Sequence, residues 1–128
     1  MAARAFLARQ GKGARAFVAS YGGSRRALDA RVVDRRLFTG SWEYMVDSAI
    51  FTAPLHPSWS GAALIDPENG SLCGIGSLFI QGPAGENEDE QGNMFVPIEL
   101  LSPIIDDLLK IGKRAGPARP WLGMHASE

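Results

Sequence analysis

The chain has 128 residues, of which 45% are hydrophobic and 21% are charged, and its formal net charge is -1. This length suits one domain with a sizeable core and is too short for two good cores. The composition is that of a soluble globular protein, and no run approaches the roughly 18 uninterrupted apolar residues of a membrane-spanning helix, which excludes a membrane span.

Basic residues are concentrated at the start of the sequence. Residues 1–36 hold nine of the thirteen Lys and Arg residues against two acids, Asp29 and Asp34. The arginines are scattered singly among Ala, Phe, Val and Gly, which favours a solvated surface over a nucleic-acid patch. The first 13 residues lack the apolar core and cleavage site of a secretory signal peptide, so no export signal is predicted.

Six segments before residue 99 have the β-branched, aromatic or alternating composition of strands, with turn-forming residues near most of their ends. Closely spaced strands with no helix between them predict an all-β fold, an antiparallel barrel or a sandwich. The predicted strands are residues 15–20, 30–36, 44–51, 62–66, 72–80 and 94–98.

Two connections between these strands are distinctive. Asn69-Gly70 readily supplies the positive backbone angles of a tight hairpin between the fourth and fifth strands. The connection over residues 81–93 is long, rich in glycine and carries four acids. Loops of this length are usually functional or mobile, and a solvated disordered loop agrees equally well with these residues.

The hydrophobic period changes near residue 98. Residues 98–114 carry apolar side chains at three-to-four spacing, with Asp106 and Asp107 on the opposite side, which predicts an amphipathic helix. Its apolar positions are Leu100, Leu101, Ile104, Ile105, Leu108 and Ile111.

Proline and glycine mark the ends of this predicted helix. Pro97 lies just before it, Pro103 falls in its first turns, and Gly112 provides the stop. A start with Ser102 as the N-cap and Pro103 as the first helical residue is also chemically sensible. Residues 113–128 are predicted to form a proline-broken linker.

Few side chains suggest metal or cofactor chemistry. The single cysteine, Cys73, excludes an intrachain disulfide and lies in an apolar run, which indicates a small buried hydrophobe. His56 has no second His or Cys at ligand spacing, so a loop histidine bonded to backbone is favoured. The acids at residues 88–90 and 106–107 are interpreted as solvated surface. No metal or cofactor is predicted.

Two stretches of the sequence, taken together, carry a family resemblance. Residues 51–80, "FTAPLHPSWSGAALIDPENGSLCGIGSLFI", are followed at residues 93–124 by "NMFVPIELLSPIIDDLLKIGKRAGPARPWLGM". The first resembles a P-G-N-S-G-G-P/A-L segment, a short hairpin and a V-I-G-I strand; the second resembles an F-A-I-P-I strand, a helix and a W-L-G motif. These motifs, in this order, are those of trypsin-like serine proteases of the HtrA/Deg family. The similarity spans roughly residues 10–124, and the first third matches in pattern only.

The resemblance implies the second half of such a serine endopeptidase. Residues 1–112 would form a six-stranded antiparallel trypsin-like β-barrel with one C-terminal α-helix, residues 1–9 being an uncertain extension. Residues 113–128 would be a linker towards an absent PDZ domain, and the first barrel is absent as well. Peptides or proteins are the implied substrates, and the cell envelope is the implied location.

Site residues follow from the same resemblance. Ser60 falls on the catalytic nucleophile, and Ser58 falls on the glycine whose N–H forms the oxyanion hole with that of Ser60. The loop over residues 81–93 falls on one that shapes the specificity pocket. The substrate-binding strand would contain Ser77, Leu78 and Phe79. Trp59 replaces a small polar residue, and Ser58 and Ala62 replace glycines, so a distorted oxyanion hole is predicted where only glycine adopts the backbone angles cheaply.

The catalytic base is missing from this reading. A serine hydroxyl is a poor nucleophile unless a nearby imidazole takes its proton. His56 lies too close to Ser60 in the same loop to serve, and His125 follows the helix near a frayed end. In the resembled family the His and Asp come from the first barrel. The chain alone is therefore predicted not to hydrolyse peptides at a useful rate.

Three functions stay open on these grounds. The first is a half-protease completed by a chain that supplies the first barrel. The second is a non-catalytic module that binds peptides or another subunit on the same fold, and the third is an unrelated small β-barrel. The first two leave an apolar face exposed, which predicts a homodimer or a complex with a first-barrel chain.

Overall fold

Six strands make up most of the structure. The computed structural model describes residues 12–40, 44–84 and 89–118, together with residues 120 and 123. Within them the strands are β1 (Arg15–Ala19), β2 (Ala27–Gly40), β3 (Tyr44–Ala53), β4 (Ala63–Ile65), β5 (Leu72–Gln81) and β6 (Gln91–Pro97). They form one antiparallel sheet in the order β1-β2-β3-β6-β5-β4, which closes into a ring because β1 also pairs with β4. The predicted all-β antiparallel class is confirmed, and every predicted strand overlaps an observed one.

The second strand is twice as long as its sequence pattern predicts. β2 runs for 14 residues, and its pairing with β3 shifts register between Val32 and Asp34 and again between Arg36 and Phe38. A bulge of this kind adds a residue to one strand and bends it. Because each shift changes which side chains face the core, the alternation in sequence stops before the strand does.

The main core lies inside the ring. Every strand contributes to it, and most of the contributed side chains are small or medium in size, as the narrow interior of a six-stranded ring requires. Its buried members are Ala16, Val18, Ala30, Val32, Ile50, Ala62, Leu64, Cys73 and Phe95.

A second apolar cluster lies on the opposite face of the sheet. Its buried members are Phe38, Val46, Ala49, Phe51 and Met94. Phe51 follows Ile50 of the main core, and consecutive strand residues point to opposite faces. The Phe38 ring meets the Phe51 ring edge-on at 6.1 Å, and the Arg36 guanidinium lies 3.7 Å from the centre of the Phe51 ring. This cluster therefore packs the far part of the β2–β3 hairpin against the sheet.

The hairpin between β4 and β5 is present, but its turn differs from the predicted one. β4 and β5 pair as neighbours, and residues 66–71 connect them. Gly70 has a φ of 70°, whereas Asn69 does not adopt a positive φ, so the turn is not the two-residue Asn-Gly type. Instead, the Asp66 carbonyl accepts the Gly70 N–H at 2.8 Å, and its Oδ1 accepts the Glu68 N–H at 2.9 Å. The buried Asp66 thus builds a longer loop around itself.

The C-terminal helix is shorter than predicted. A 3-10 helix covers Ile98–Leu100, and α1 covers only Ile105–Ile111, ending at Gly112 with a φ of 70°. Both predicted starts are wrong: Ile104 is the N-cap residue, and Ser102 makes no cap. A proline ring clashes with the carbonyl four residues earlier in an α-helix and disfavours helical angles in the preceding residue, so Pro103 separates the two helical pieces.

The apolar side of α1 is only partly covered by the described part of the chain. None of its residues is buried, and Leu109 is 78% exposed and Ile111 55% exposed. Among the described residues no helix has the length and apolar content needed to cross a membrane. Residues 113–118 are exposed and form neither helix nor strand, while the linker role of residues 113–128 and the domain limits stay predictions.

Candidate functional site

Ser60 lies at the tip of a tight turn directly before β4. The Ala62 N–H donates to the Trp59 carbonyl at 3.0 Å, and Gly61 has a φ of 72°, which is typical of a type II turn with glycine in its third position. Ser60 is exposed. None of the hydrogen bonds within the described residues involves the Ser60 hydroxyl or its N–H. The side chain is thus presented to solvent by a fixed backbone.

The turn is fastened to β5 at Gly76. The Gly61 N–H donates to the Gly76 carbonyl at 2.9 Å, and the Gly76 N–H donates to the Ala62 carbonyl at 2.7 Å. A Cβ at position 76 would lie 2.0 Å from the Trp59 carbonyl oxygen. Only glycine permits this approach, so the sequence at Gly76 fixes how closely the Ser60 turn sits against β5.

Within the described residues, β5 has a free edge that starts beside this turn. β4 pairs with β5 only as far as Ile75, and β6 is the single strand neighbour of residues 77–81 in the described sheet. The predicted substrate-binding residues lie here: Ser77 and Leu78 are half-buried, and Phe79 is 40% exposed. An unpaired edge of this kind offers backbone N–H and C=O groups to an added extended chain.

Both ring nitrogens of His56 are hydrogen-bonded to backbone groups. Its Nδ1 accepts the Ser58 N–H at 3.1 Å, and its Nε2 lies 2.6 Å from the Arg26 carbonyl oxygen. Nδ1 acts as the acceptor, so the hydrogen-bond network assigns the ring proton to Nε2, which donates to Arg26. The residue is 4% exposed. The prediction of a loop histidine bonded to backbone is confirmed, and its ring nitrogens are both occupied by partners other than Ser60.

The two amides of the predicted oxyanion hole differ in their surroundings. Ser58 donates its N–H to His56, whereas the Ser60 N–H has no partner among the described residues. Neither Ser58 nor Ala62 adopts a positive φ, so the strain expected from replacing glycines is absent. An oxyanion could receive both N–H groups only after the Ser58 amide leaves the imidazole.

Asn93 anchors this loop and was not singled out from the sequence. Its Oδ1 accepts the His56 N–H at 2.7 Å, and its Nδ2 donates to the His56 carbonyl at 3.4 Å. Asn93 is fully buried in β6 and pairs with Thr52 of β3. A buried amide side chain that satisfies a loop backbone in this way orders the loop. The only local signal was a polar residue at the start of an apolar strand.

An open hollow of about 560 Å³ lies beside the same loop. Pro54, Leu55 and Pro57 line one part of it, and Asp89, Glu90 and Gln91 line the other. The predicted pocket-shaping loop, residues 81–93, contributes the second part, although residues 85–88 lie outside the described residues. Within the described residues, no group of three or more His, Cys, Asp or Glu side chains is arranged to hold a metal ion. His125 also lies outside the described residues.

Cys73 is chemically distinct from the serines at the site. Its thiol is buried in the main core, as predicted, and Sγ donates to the Ser71 carbonyl at 3.2 Å. Burial raises the pKa of this thiol to about 12; the Asp66 carboxylate acts in the same direction, and a hydrogen bond from the Asp66 backbone opposes it. Because the thiolate is the reactive form of cysteine, Cys73 is inert at neutral pH.

This raised pKa of Cys73 predicts an alkaline loss of stability. An unfolded cysteine ionises near pH 8.5, whereas the folded thiol keeps its proton up to pH of about 12. The folded state therefore binds more protons in this window, and its free energy of unfolding falls by about 1.4 kcal/mol per pH unit as pH rises. Urea denaturation from pH 8 to 10.5 measures this slope. Subtracting the Cys73→Ala curve removes all other titrations, and parallel curves would contradict the assignment.

No family model, curated protein or solved structure matches this chain. The assignment of the site residues therefore depends on the residues themselves and on the motif resemblance of the Ser60 and C-terminal segments.

Proposed function

We propose that the chain is the substrate-binding half of a trypsin-like serine endopeptidase, with Ser60 as the nucleophile and an imidazole base supplied from elsewhere. The observation that carries the proposal is the free β5 edge, which begins where the Ser60 turn is bonded to Gly76. The closed ring of six antiparallel strands followed by one short helix agrees with the trypsin-like barrel that the resemblance implies.

The free edge explains how a peptide would bind. An extended segment adds to residues 77–81 as a further antiparallel strand through main-chain hydrogen bonds, which require no particular side-chain sequence. Such a strand runs alongside the exposed Ser60 hydroxyl, because Gly76 links the turn and the edge. Substrate side chains would alternate between the two sides of the added strand, and the nearby hollow could receive one of them.

This half is inactive without a base. His56 is the only histidine of the described residues, and its imidazole is committed to Arg26 and Ser58. Loss of a triad member typically costs on the order of 10⁴ in rate. The base would come from another segment or another chain. A homodimer or a complementing first-barrel chain is the proposed partner, and the exposed apolar residues of α1 agree with such an association.

A non-catalytic peptide-binding or subunit-binding module is the second candidate. The hydrogen bond from the Ser58 amide to His56 favours it. With that amide occupied, a single N–H remains for an oxyanion, and removing one oxyanion-hole donor costs about 10² to 10³ in rate. The free β5 edge is common to both candidates, so peptide binding and serine reactivity need separate measurements.

The binding step is tested with an unstructured peptide and amide resonances of the full chain. We expect the resonances of Ser77, Leu78 and Phe79 to shift on addition of the peptide. A matched peptide with N-methylated backbone amides lacks the required donors and should leave them unchanged. Absence of any shift on β5 would contradict the protease half and the peptide-binding form of the non-catalytic module.

The catalytic step is tested with a fluorophosphonate probe. The chain alone should label no more than its Ser60→Ala variant. When it is expressed with its flanking coding sequence or mixed with a complementing chain, Ser60 should label; Ser60→Ala should abolish the signal, and Ser102→Ala, at an exposed position away from the turn, should retain it. Peptide binding without labelling under these conditions would favour the non-catalytic module.

A further inference from the structure

The structure contains a contact that links the protonation of one imidazole to the backbone beside Ser60. Ser58 lies two residues after His56, and its N–H points at Nδ1 of that ring. An N–H can donate to Nδ1 only while this nitrogen carries no proton, because a protonated imidazole has donors on both nitrogens. The hydrogen bond therefore exists only with neutral His56.

We propose that His56 is a positioning residue that acts as a proton-controlled latch on the Ser58 amide. While His56 is neutral, the latch is closed and the amide is held by the ring. A second proton on His56 turns Nδ1 into a donor that faces another donor, and the Ser58 N–H is released. The link to catalysis rests on the proposed function, in which this amide is one of the two oxyanion donors; the latch itself does not.

The imidazole cannot rotate to move a protonated Nδ1 away from the Ser58 N–H. Its Nε2 is bonded to the Arg26 carbonyl, and the backbone N–H and C=O of His56 are both bonded to the buried Asn93 side chain. Ser58, by contrast, is half-buried in a loop without strand pairing. The Ser58 segment is thus the part of the contact that moves.

The groups around His56 leave the added charge without a close partner. The 3-10 helix Gly23–Arg26 carries the exposed cations Arg25 and Arg26, and β6 contributes the neutral Asn93. Two described acids, Asp89 and Glu90, lie across the hollow that Pro57 of the same loop lines. Histidine is the side chain whose ordinary ionisation lies closest to neutral pH, so pH is the variable that tests the latch.

The test follows the Ser58 amide in the full chain by NMR at pH 8 and pH 5. We expect the protection of Ser58 against hydrogen exchange to fall about tenfold as the imidazole nitrogens report protonation, the loss expected for one hydrogen bond. The Gly76 amide, bonded to the Ala62 carbonyl, should stay protected at both pH values and serves as the internal control. Equal protection of Ser58 at both pH values would overturn the proposal.

Two variants separate the nitrogens of His56. His56→Asn keeps an acceptor for an N–H two residues later but cannot take up a proton near neutrality, so Ser58 should stay protected at both pH values. His56→Gln keeps a distal donor for Arg26 and loses the near acceptor, so Ser58 should be unprotected at both. A pH response in His56→Asn equal to that of the wild type would overturn the latch.

Failure of the latch can be distinguished from failure of the proposed function. The exchange measurement needs neither peptide nor serine reactivity, so the latch can be established even if β5 binds no peptide. If a variant loses Gly76 protection and has therefore unfolded, the wild-type comparison of Ser58 with Gly76 still decides the question.

Discussion

Gly76→Ala is expected to lower the free energy of unfolding by about 3 kcal/mol, at the upper end of the usual cost of overpacking. The added Cβ would lie 2.0 Å from the Trp59 carbonyl oxygen and 3.2 Å from the Ala62 nitrogen. Both contacts are with backbone, and the Gly61 and Gly76 hydrogen bonds prevent the turn from moving away. Urea denaturation of wild type and variant measures the difference.

Gly74→Ala is the matched control for this variant. It lies two residues earlier in the same strand, and its added Cβ would meet the Val96 carbonyl oxygen at 3.1 Å and the Phe95 Cβ at 3.2 Å. These distances require a shift of a few tenths of an ångström, so we expect a loss of about 1 kcal/mol. If the two variants lose equal stability, the cost is that of any alanine in β5, and the close packing of the Ser60 turn is not its cause.

Asn93→Ala is expected to cost about 2 to 3 kcal/mol. The substitution leaves the His56 N–H and carbonyl buried without their partner, and each unsatisfied group of this kind costs about 1 kcal/mol or more. Because the same bonds hold the loop that carries Ser58, its amide should also lose protection against exchange. Thermal or urea denaturation measures the stability loss, and hydrogen exchange measures the loop.

Thr52→Ala separates the hydrogen bonds of Asn93 from the volume that its side chain fills. Thr52 is the strand partner of Asn93 and is fully buried, and its hydroxyl has no hydrogen-bond partner. Truncating it creates a cavity beside Asn93 without breaking a bond, and it also removes a buried hydroxyl that lacks a partner. The two effects oppose each other, so we expect a loss below about 1 kcal/mol. An equal loss in both variants would mean that Asn93 acts through packing alone.

Much of the fold could be predicted because local patterns carry it. β1, β4 and β5 follow short apolar runs bounded by turn residues, and their observed limits lie within a residue or two of the predicted ones. The length of β2 could not be predicted, because its bulges depend on pairing with β3. The start of the helix was predicted wrongly for a different reason. The spacing of Leu100 and Leu101 continues the helical period, although Pro103 breaks the helix.

The candidate site also contains residues that the sequence could indicate and others that it could not. Ser60, Ser58 and the β5 segment could be singled out because a short motif contains them, and that assignment stays a prediction. Asn93 could not, because its partner His56 is 37 residues away and an isolated asparagine leaves no local signature. The lack of a second His or Cys at ligand spacing favoured a loop histidine bonded to backbone, but only the structure showed that the bonded amide is that of Ser58.

Because α1 has few buried contacts, it is locally less stable than the strand ring. The 3-10 helix before it is tied to β2 by the 2.7 Å ion pair between Arg35 and Glu99, but none of the described residues beyond Ile104 belongs to either apolar cluster. Segments with few buried contacts open at a small fraction of the global unfolding free energy. The α1 helix can therefore detach and redock many times while the strand ring stays folded.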